Sequence, residues 1–207
     1  MITTSYIGHS TDPDIRYRAT SGGIGSSIIK YLFDSGSIGT SISFTFDKDT
    51  LLYSPRIIYG YTDYNICGSI YQEMDLIGFI RDNIEYVRGT FACFCLPCQT
   101  RAIRSMLKRA GHECIIIGLT CSSSQDIEAT KYLFKRERIS MSDVRNLQYR
   151  GNGWPSGIQV LTKSNGGGGT LSQMAARYGQ PSSIQGYLFK NVVFTAKIHL
   201  MNTPISL

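Results

Sequence analysis

The order of apolar and polar residues predicts a helix followed by a hairpin in the first third of the chain. Residues 23–34 carry Ile24 and Ile28 one helical turn apart, which is typical of an amphipathic helix. Residues 40–47 instead alternate apolar and polar side chains, and a polar turn then leads into residues 51–61. The last two segments are therefore predicted to be the strands of a hairpin.

Helical and strand patterns then alternate through the middle of the chain. The predicted helices cover residues 75–85, 98–110 and 125–136, and the predicted strands cover residues 90–96, 114–120, 144–150 and 158–162. Residues 166–169 are expected to form a flexible tip. A strand–helix–strand succession joins parallel strands by a right-handed crossover. The pattern therefore predicts an α/β fold with a mixed, partly parallel sheet flanked by helices and a small N-terminal α+β lobe.

Composition narrows the class of protein further. The 207 residues are 42% hydrophobic, which is enough for a packed core and excludes a disordered chain. No apolar run reaches the ~18 residues that cross a bilayer, so we expect no membrane-spanning role. The start of the chain lacks the apolar segment of a secretory signal, and six cysteines are too few for a disulfide scaffold. We therefore expect a cytoplasmic protein whose cysteines are thiols, metal ligands or core residues.

Charge is unevenly distributed along the chain. Residues 1–97 hold seven basic and ten acidic residues, whereas residues 98–207 hold fourteen basic and five acidic residues. A basic second half attracts an anionic partner, such as a phosphate-bearing cofactor or an acidic protein, although solvated helix faces explain the same charges. Stacking aromatic residues are not interleaved with the basic ones, so we expect no nucleic-acid partner.

Three short segments have the composition of ligand-binding turns. Ser21, Gly22 and Gly23 precede a predicted helix, where free N–H groups suit a phosphate, although a simple cap uses the same residue types. Residues 68–71 precede an acidic helix, and residues 149–154 set the single Trp beside a glycine-flanked arginine. Each segment alone is equally typical of an ordinary turn.

Cysteines follow the two predicted buried strands. Cys98 lies at a strand-to-helix turn, which favours a reactive thiol or a metal ligand, whereas Cys93 and Cys95 share one strand face and are predicted to be core residues. Three cysteines in six residues also allow zinc or an iron–sulfur cluster, but their spacing matches no standard ferredoxin run. Cys121 ends the second strand, so parallel neighbours would bring it to the sheet edge that carries Cys98. A buried structural thiol is the alternative for Cys121.

Taken together, five segments resemble the beta subunits of coenzyme F420 hydrogenases and dehydrogenases, over about residues 6–160. The segments are Ser21-Gly22-Gly23, Gly68-Ser69-x-Tyr71, Pro97-Cys98-Gln99, Ile117-Gly118-Leu119-x-Cys121 and Arg150-Gly151-x-Gly153-Trp154. Members of that family are iron–sulfur flavoproteins, so the resemblance implies FAD, a candidate iron–sulfur cluster, and transfer of electrons or hydride to or from a substrate. It also implies a partner redox subunit or a ferredoxin-like donor, and a homo-oligomer is a further expectation.

The resemblance also implies which residues bind the cofactors. The candidates for FAD are Ser21, Gly22, Gly23, Gly68, Ser69, Tyr71, Pro97, Gln99 and Arg150. The candidate cluster ligands are Cys98 and Cys121, and Cys95 ranks after these two as a candidate. Residues 1–86 would form the N-terminal part of the flavin-binding region, and residues 87–207 the C-terminal α/β part of the same domain.

The chain departs from the family pattern at several points. It has no N-terminal ferredoxin module and no cysteine after Cys121, and Ile70 stands where the family has a lysine. The last dozen residues carry no charge after Lys197 and show no clear end to the domain. We therefore expect longer relatives to continue beyond the position of residue 207. The alternative hypothesis is an accessory or binding protein that has lost the cluster, of the kind found beside surface-polysaccharide enzymes.

Overall fold

The computed structural model describes residues 6–120, 124–153 and 157–163, and the backbone of residues 169–170. The helices are α1 (Pro13–Arg18), α2 (Ile24–Asp34), α3 (Leu76–Asp82), α4 (Pro97–Arg109) and α5 (Ile127–Arg136). The strands are β1 (Thr40–Asp47), β2 (Leu52–Ile58), β3 (Phe91–Cys95), β4 (Cys114–Gly118), β5 (Val144–Gln148), β6 (Gln159–Thr162) and β7 (Gly169–Thr170).

Four of the strands form a mixed sheet in the order β2-β1-β3-β4. β1 and β2 pair antiparallel from Ser41 opposite Ile58 to Asp47 opposite Leu52, whereas β3 pairs parallel with both β1 and β4. α4 connects β3 to β4 as the helix of a parallel crossover. The predicted α/β class, with its mixed and partly parallel sheet, is confirmed.

Helices cover both faces of this sheet. On one face, Leu76 and Ile80 of α3 and Ile103 and Leu107 of α4 pack with the inward side chains of β1, β3 and β4. On the other face, Ile29 of α2 packs with the residues of β3 and β4 that alternate to that side. Because β3 and β4 are covered on both faces, nearly every position in them is apolar, as expected for buried parallel strands.

Strands β5, β6 and β7 form a second, antiparallel sheet that packs against α5. Phe134 and Leu147 are completely buried in its core, together with Val144 and Val160. Leu51, from the turn of the first hairpin, belongs to the same core, so the two sheets are packed together. The sequence pattern predicted β5 and β6 but not their separation into a second sheet.

Helix α1 is absent from the sequence-based prediction, which treats the start of the chain as irregular. Asp12 caps it by accepting hydrogen bonds from the backbone N–H groups of Asp14 and Ile15, and Pro13 takes the first helical position. An Asp-Pro pair is a helix-start signal, so this element was visible in the sequence. Its six residues are too few for the apolar periodicity on which the prediction relied.

Helix α3 is shorter than the predicted helix over 75–85. The Asp75 side chain accepts from the Gly78 N–H and starts the helix, while the Asn83 side chain donates to the Phe79 carbonyl at its end. A 3-10 turn, Ile84–Tyr86, then replaces the expected last turn. Polar side chains bonded to the backbone therefore determine both ends of α3.

Both parts of the chain contribute to the first sheet, because β1 and β2 precede residue 86 whereas β3 and β4 follow it. The division at that residue stays a prediction. The expected tip over 166–169 lies outside the described residues except for Gly169, which begins β7. Among the described residues, no helix has the length and apolar character needed to cross a membrane.

Candidate functional site

Three loops that are far apart in the sequence meet beside the start of α2. They are loop A (residues 17–23, which includes the last two residues of α1), loop B (residues 67–72) and loop C (residues 148–153, which begins with the last residue of β5). The backbone N–H of Ser69 in loop B donates to Thr20 Oγ1 in loop A over 2.7 Å. The N–H of Gly153 in loop C donates to the Tyr17 carbonyl of loop A over 3.0 Å. The structure thus brings together three of the five segments that carry the family resemblance.

Gly68 is the point at which loops B and C touch. Its φ of 70° lies in the left-handed region, and a Cβ added there would lie 2.1 Å from the Arg150 carbonyl oxygen. Any side chain would displace loop C in addition to straining the backbone. The absence of a side chain at Gly68 therefore allows loops B and C to pack against each other.

Gly22 and Gly23 have a similar role in loop A, with φ values of 75° and 79°. A Cβ on Gly23 would lie 2.9 Å from Ile15 Cγ2 of α1, and the Gly22 carbonyl accepts from the Ser10 N–H over 2.6 Å. The two glycines allow α1 and the segment before it to pack closely on the start of α2. A bulky residue at Gly23 would disturb this packing, so such a variant is a poor probe of ligand binding.

The start of α2 is the part of loop A best suited to an anion. Gly23 is the N-cap of this 11-residue helix, and within the described part of the chain no side-chain cap bonds to the N–H groups of the first turn. Ser21 lies exposed just before it. Unsatisfied N–H groups and the positive end of the helix dipole favour a negatively charged group at this position.

Arg150 is a buried cation of loop C, with only 7% of its surface exposed. Its Nη1 donates to the Tyr71 hydroxyl in loop B over 3.3 Å, and the Tyr71 ring meets the Tyr149 ring edge-on with 5.8 Å between centroids. A buried guanidinium is costly unless polar or anionic groups surround it. Arg150 is therefore the side chain of the three loops that best suits a negatively charged ligand.

The Pro97–Gln99 segment lies at the carboxyl end of β3, as predicted. Pro97 occupies the first helical position of α4, and Gln99 Oε1 accepts from the Leu96 N–H over 3.0 Å. The Gln99 side chain thus caps α4. Phe94, near the end of β3, packs against Gly25 in the first turn of α2. This edge of the sheet therefore lies next to the start of α2.

The cysteines of this edge differ sharply in exposure. Cys98 is exposed, whereas Cys93 and Cys95 are only 1% and 2% exposed and belong to the core, as predicted. A hydrogen bond from Cys93 lowers the pKa of Cys95, and the Thr100 hydroxyl and the charge of Arg104 act in the same direction. By exposure, Cys95 is a core thiol, whereas Cys98 lies at the surface.

The described residues by themselves do not fit an iron–sulfur cluster. Within them, no three His, Cys, Asp or Glu side chains come close enough to hold a metal ion. Cys121 lies outside the described residues, between Thr120 and Gln125. Gln125 forms a bridge with Gln72 of loop B.

Alkylation of the metal-free protein is expected to label Cys98 first, because its thiol is exposed at the start of α4. Burial raises the pKa of Cys67, to about 11, and the pKa of Cys114, so fewer of these thiols are ionised at neutral pH. We expect Cys98 to react about tenfold faster than either of them. Timed iodoacetamide labelling with peptide mass spectrometry measures the order, and faster labelling of Cys67 would contradict it.

A cavity of about 300 Å³ lies beside the first two turns of α2. It is lined by His9, Ser10, Thr11, Ile24, Ser27, Ile28 and Tyr31, none of which the sequence singled out as a site residue. Its volume is at the lower end for ligand pockets, and Ile24 in its lining belongs to the first turn of α2, which follows loop A.

Two models of known protein families match this chain. The model for the N-terminal region of the coenzyme F420 hydrogenase/dehydrogenase beta subunit matches residues 5–77, and the model for its C-terminal region matches residues 89–183. The chain belongs to this beta-subunit family. Loops A and B lie in the first matched region and loop C in the second, so both family regions contribute to the site.

A solved structure shares the fold of this family member. A chain of the F420-reducing nickel–iron hydrogenase complex from Methanosarcina barkeri, in a xenon derivative, is similar with a TM-score of 0.59 and 19% sequence identity. The similarity covers 87% of this chain and 67% of that chain. Among curated protein sequences, none matches. The recognition of the family from five short segments is confirmed, and it places the chain among the subunits of redox enzymes.

Two residues of the candidate site are not among the predicted cofactor-binding residues. Thr20 precedes the Ser21 segment and joins loops A and B through the Ser69 N–H. Gln72 is the last residue of loop B, and its side chain is buried. Both lie next to motif residues, but Thr and Gln are common residue types that do not by themselves indicate a site. The residues that they contact are distant in the sequence.

Proposed function

We propose that this beta-subunit family member binds FAD where loops A, B and C meet, and that it works as a flavin-dependent oxidoreductase. The convergence of the segments around Ser21, Tyr71 and Arg150 carries the proposal. The uncapped start of α2 and the buried Arg150 guanidinium are two positive features that suit the diphosphate of a dinucleotide.

The chain's own residues would bind and orient the cofactor. FAD, when bound, supplies hydride and electron transfer. Arg150 would attract negative charge and hold the Tyr71 hydroxyl in place, while Ser21 and Ser69 offer hydroxyl groups to the ligand. In this proposal Gly22, Gly23 and Gly68 act by allowing the loops to approach one another rather than by touching the flavin.

The iron–sulfur centre and the partner are separate proposals. Cys98 and Cys121 are the proposed cluster ligands, and Cys95 does not join them because its side chain lies in the core. A partner redox subunit or ferredoxin-like donor is supported by α4, which has no acidic residue and exposes Arg101, Lys108 and Arg109.

The visible spectrum of the purified protein tests the flavin proposal. We expect absorbance near ~450 nm, either as purified or after incubation with FAD and removal of the unbound cofactor. The variant Arg150→Met is expected to raise the dissociation constant for FAD about tenfold, because charge-assisted hydrogen bonds are lost. Arg81→Met is the matched control, since Arg81 is an exposed cation of α3 paired with Asp82.

A second candidate function is an accessory or binding protein without redox chemistry. The absence of any cysteine after Cys121 favours it, because the chain then lacks the later cysteines of the family. A protein that stays colourless after FAD incubation would support this candidate and overturn the flavin proposal. Equal affinity for FAD in Arg150→Met and wild type would instead move the cofactor away from loop C.

A further inference from the structure

The side chain of Gln72 lies beneath loop B with every polar atom of its amide engaged. It is 6% exposed, its Oε1 accepts from the Tyr53 N–H over 2.9 Å, and its Nε2 donates to the Leu51 carbonyl over 2.8 Å. The second Nε2 proton goes to the Tyr149 hydroxyl over 3.0 Å. Because a backbone N–H only donates and a carbonyl only accepts, the amide has a single allowed orientation.

The Tyr149 hydroxyl connects this amide to α5. Tyr149 is 5% exposed, and its hydroxyl shares a 2.6 Å hydrogen bond with Thr130 Oγ1. A tyrosine hydroxyl is protonated at neutral pH, and burial raises the pKa of Tyr149 further, so its proton is available for Thr130. The Gln72–Tyr149–Thr130 hydrogen bonds, which we call the latch, therefore join loop B, loop C and α5.

Each of the two linked loop residues has a site residue as its immediate neighbour. Tyr71 precedes Gln72, and Arg150 follows Tyr149. Tyr71 and Arg150 are themselves joined by a hydrogen bond, and the ring of Tyr71 stands edge-on against the ring of Tyr149. A shift of Gln72 relative to Tyr149 would thus be passed directly to the relative positions of Tyr71 and Arg150.

We propose that the latch sets the geometry of the flavin site, with Gln72 and Tyr149 as positioning residues for Tyr71 and Arg150. The inference rests on the proposed function, because it assigns these two residues to the FAD site. Buried, fully bonded polar groups rigidify the segments that they join. Besides the latch, loops B and C are joined by the contact of Gly68 with Arg150, the bond of Arg150 with Tyr71 and the edge-on rings of Tyr71 and Tyr149.

The variant Tyr149→Phe tests the proposal against a matched control, Tyr53→Phe. Both remove one buried tyrosine hydroxyl and keep the ring; the Tyr53 hydroxyl donates to the carbonyl of Leu147, a residue outside loops B and C. We expect both to lower the unfolding midpoint comparably. Only Tyr149→Phe should weaken FAD binding, by about tenfold, whereas Tyr53→Phe should stay within about twofold of wild type.

Hydrogen exchange of the FAD-free protein tests the latch independently of the flavin. The Ser69 amide is bonded to Thr20 Oγ1, so a loosened loop B should expose it. We expect the amides of residues 67–72 to exchange about fivefold faster in Tyr149→Phe than in Tyr53→Phe. Thr130→Val removes the hydroxyl that bonds to Tyr149 and should also speed the exchange of residues 67–72. This variant replaces Tyr149→Phe in the test if Tyr149→Phe does not fold.

The outcomes separate the latch from the proposed function. Equal exchange over residues 67–72 in the two tyrosine variants would overturn the latch. Faster exchange in Tyr149→Phe with unchanged FAD affinity would overturn its role in positioning the flavin site. A wild-type protein that binds no FAD would overturn the proposed function, and hydrogen exchange would still decide whether the latch joins the loops.

Discussion

Replacing Gly68 with alanine is expected to destabilise the protein by more than about 2 kcal/mol. Left-handed backbone costs an alanine roughly 1–2 kcal/mol, and the new Cβ would collide with the Arg150 carbonyl, 2.1 Å away. Since the obstacle is backbone, relief requires loop C to move. Urea unfolding measures the loss of free energy, and FAD titration of the folded variant should show weakened binding.

Gly36→Ala is the matched control for Gly68→Ala. Gly36 has a similar φ of 67°, but a Cβ added there meets no atom within 4 Å. Its substitution therefore carries the backbone strain alone, about 1–2 kcal/mol. Equal free-energy losses in the two variants would contradict a close contact between loops B and C.

Replacing Phe134 with alanine is expected to cost about 3–5 kcal/mol of unfolding free energy. Phe134 is completely buried between α5 and the second sheet, where its removal would leave a cavity among Leu133, Val144 and Leu147. α5 also carries Thr130 of the latch. We therefore expect the folded fraction of this variant to bind FAD less tightly, measured at a temperature well below its unfolding midpoint.

Tyr132→Ala provides the comparison on the same helix. Tyr132 is 58% exposed, so its removal opens no cavity and should change the unfolding free energy by less than about 0.5 kcal/mol. A similar loss in both variants would mean that α5 is not packed on the second sheet through Phe134. Chemical unfolding of the two proteins under identical conditions decides between these cases.

The sequence by itself determined most of the elements, because their signals are local. Helical spacing at Ile24 and Ile28 marks α2, strand alternation marks β1, and the all-apolar runs of β3 and β4 mark strands covered on both faces. The strand–helix–strand order was enough to predict parallel pairing of β3 with β4. Five short segments in order were enough to identify the family, as the two matching family models confirm.

Only the tertiary structure decided which distant residues the candidate site residues contact. A ligand role for Gly23 and Gly68 stays a prediction, whereas their close approach to Ile15 and Arg150 is a contact that no local pattern indicates. Gln72 showed no sequence signal at all, because hydrogen bonds of a buried amide depend on partners that folding brings together. Local periodicity specifies which face of an element is apolar, whereas the register between distant loops depends on close contacts that form only when both sheets are packed.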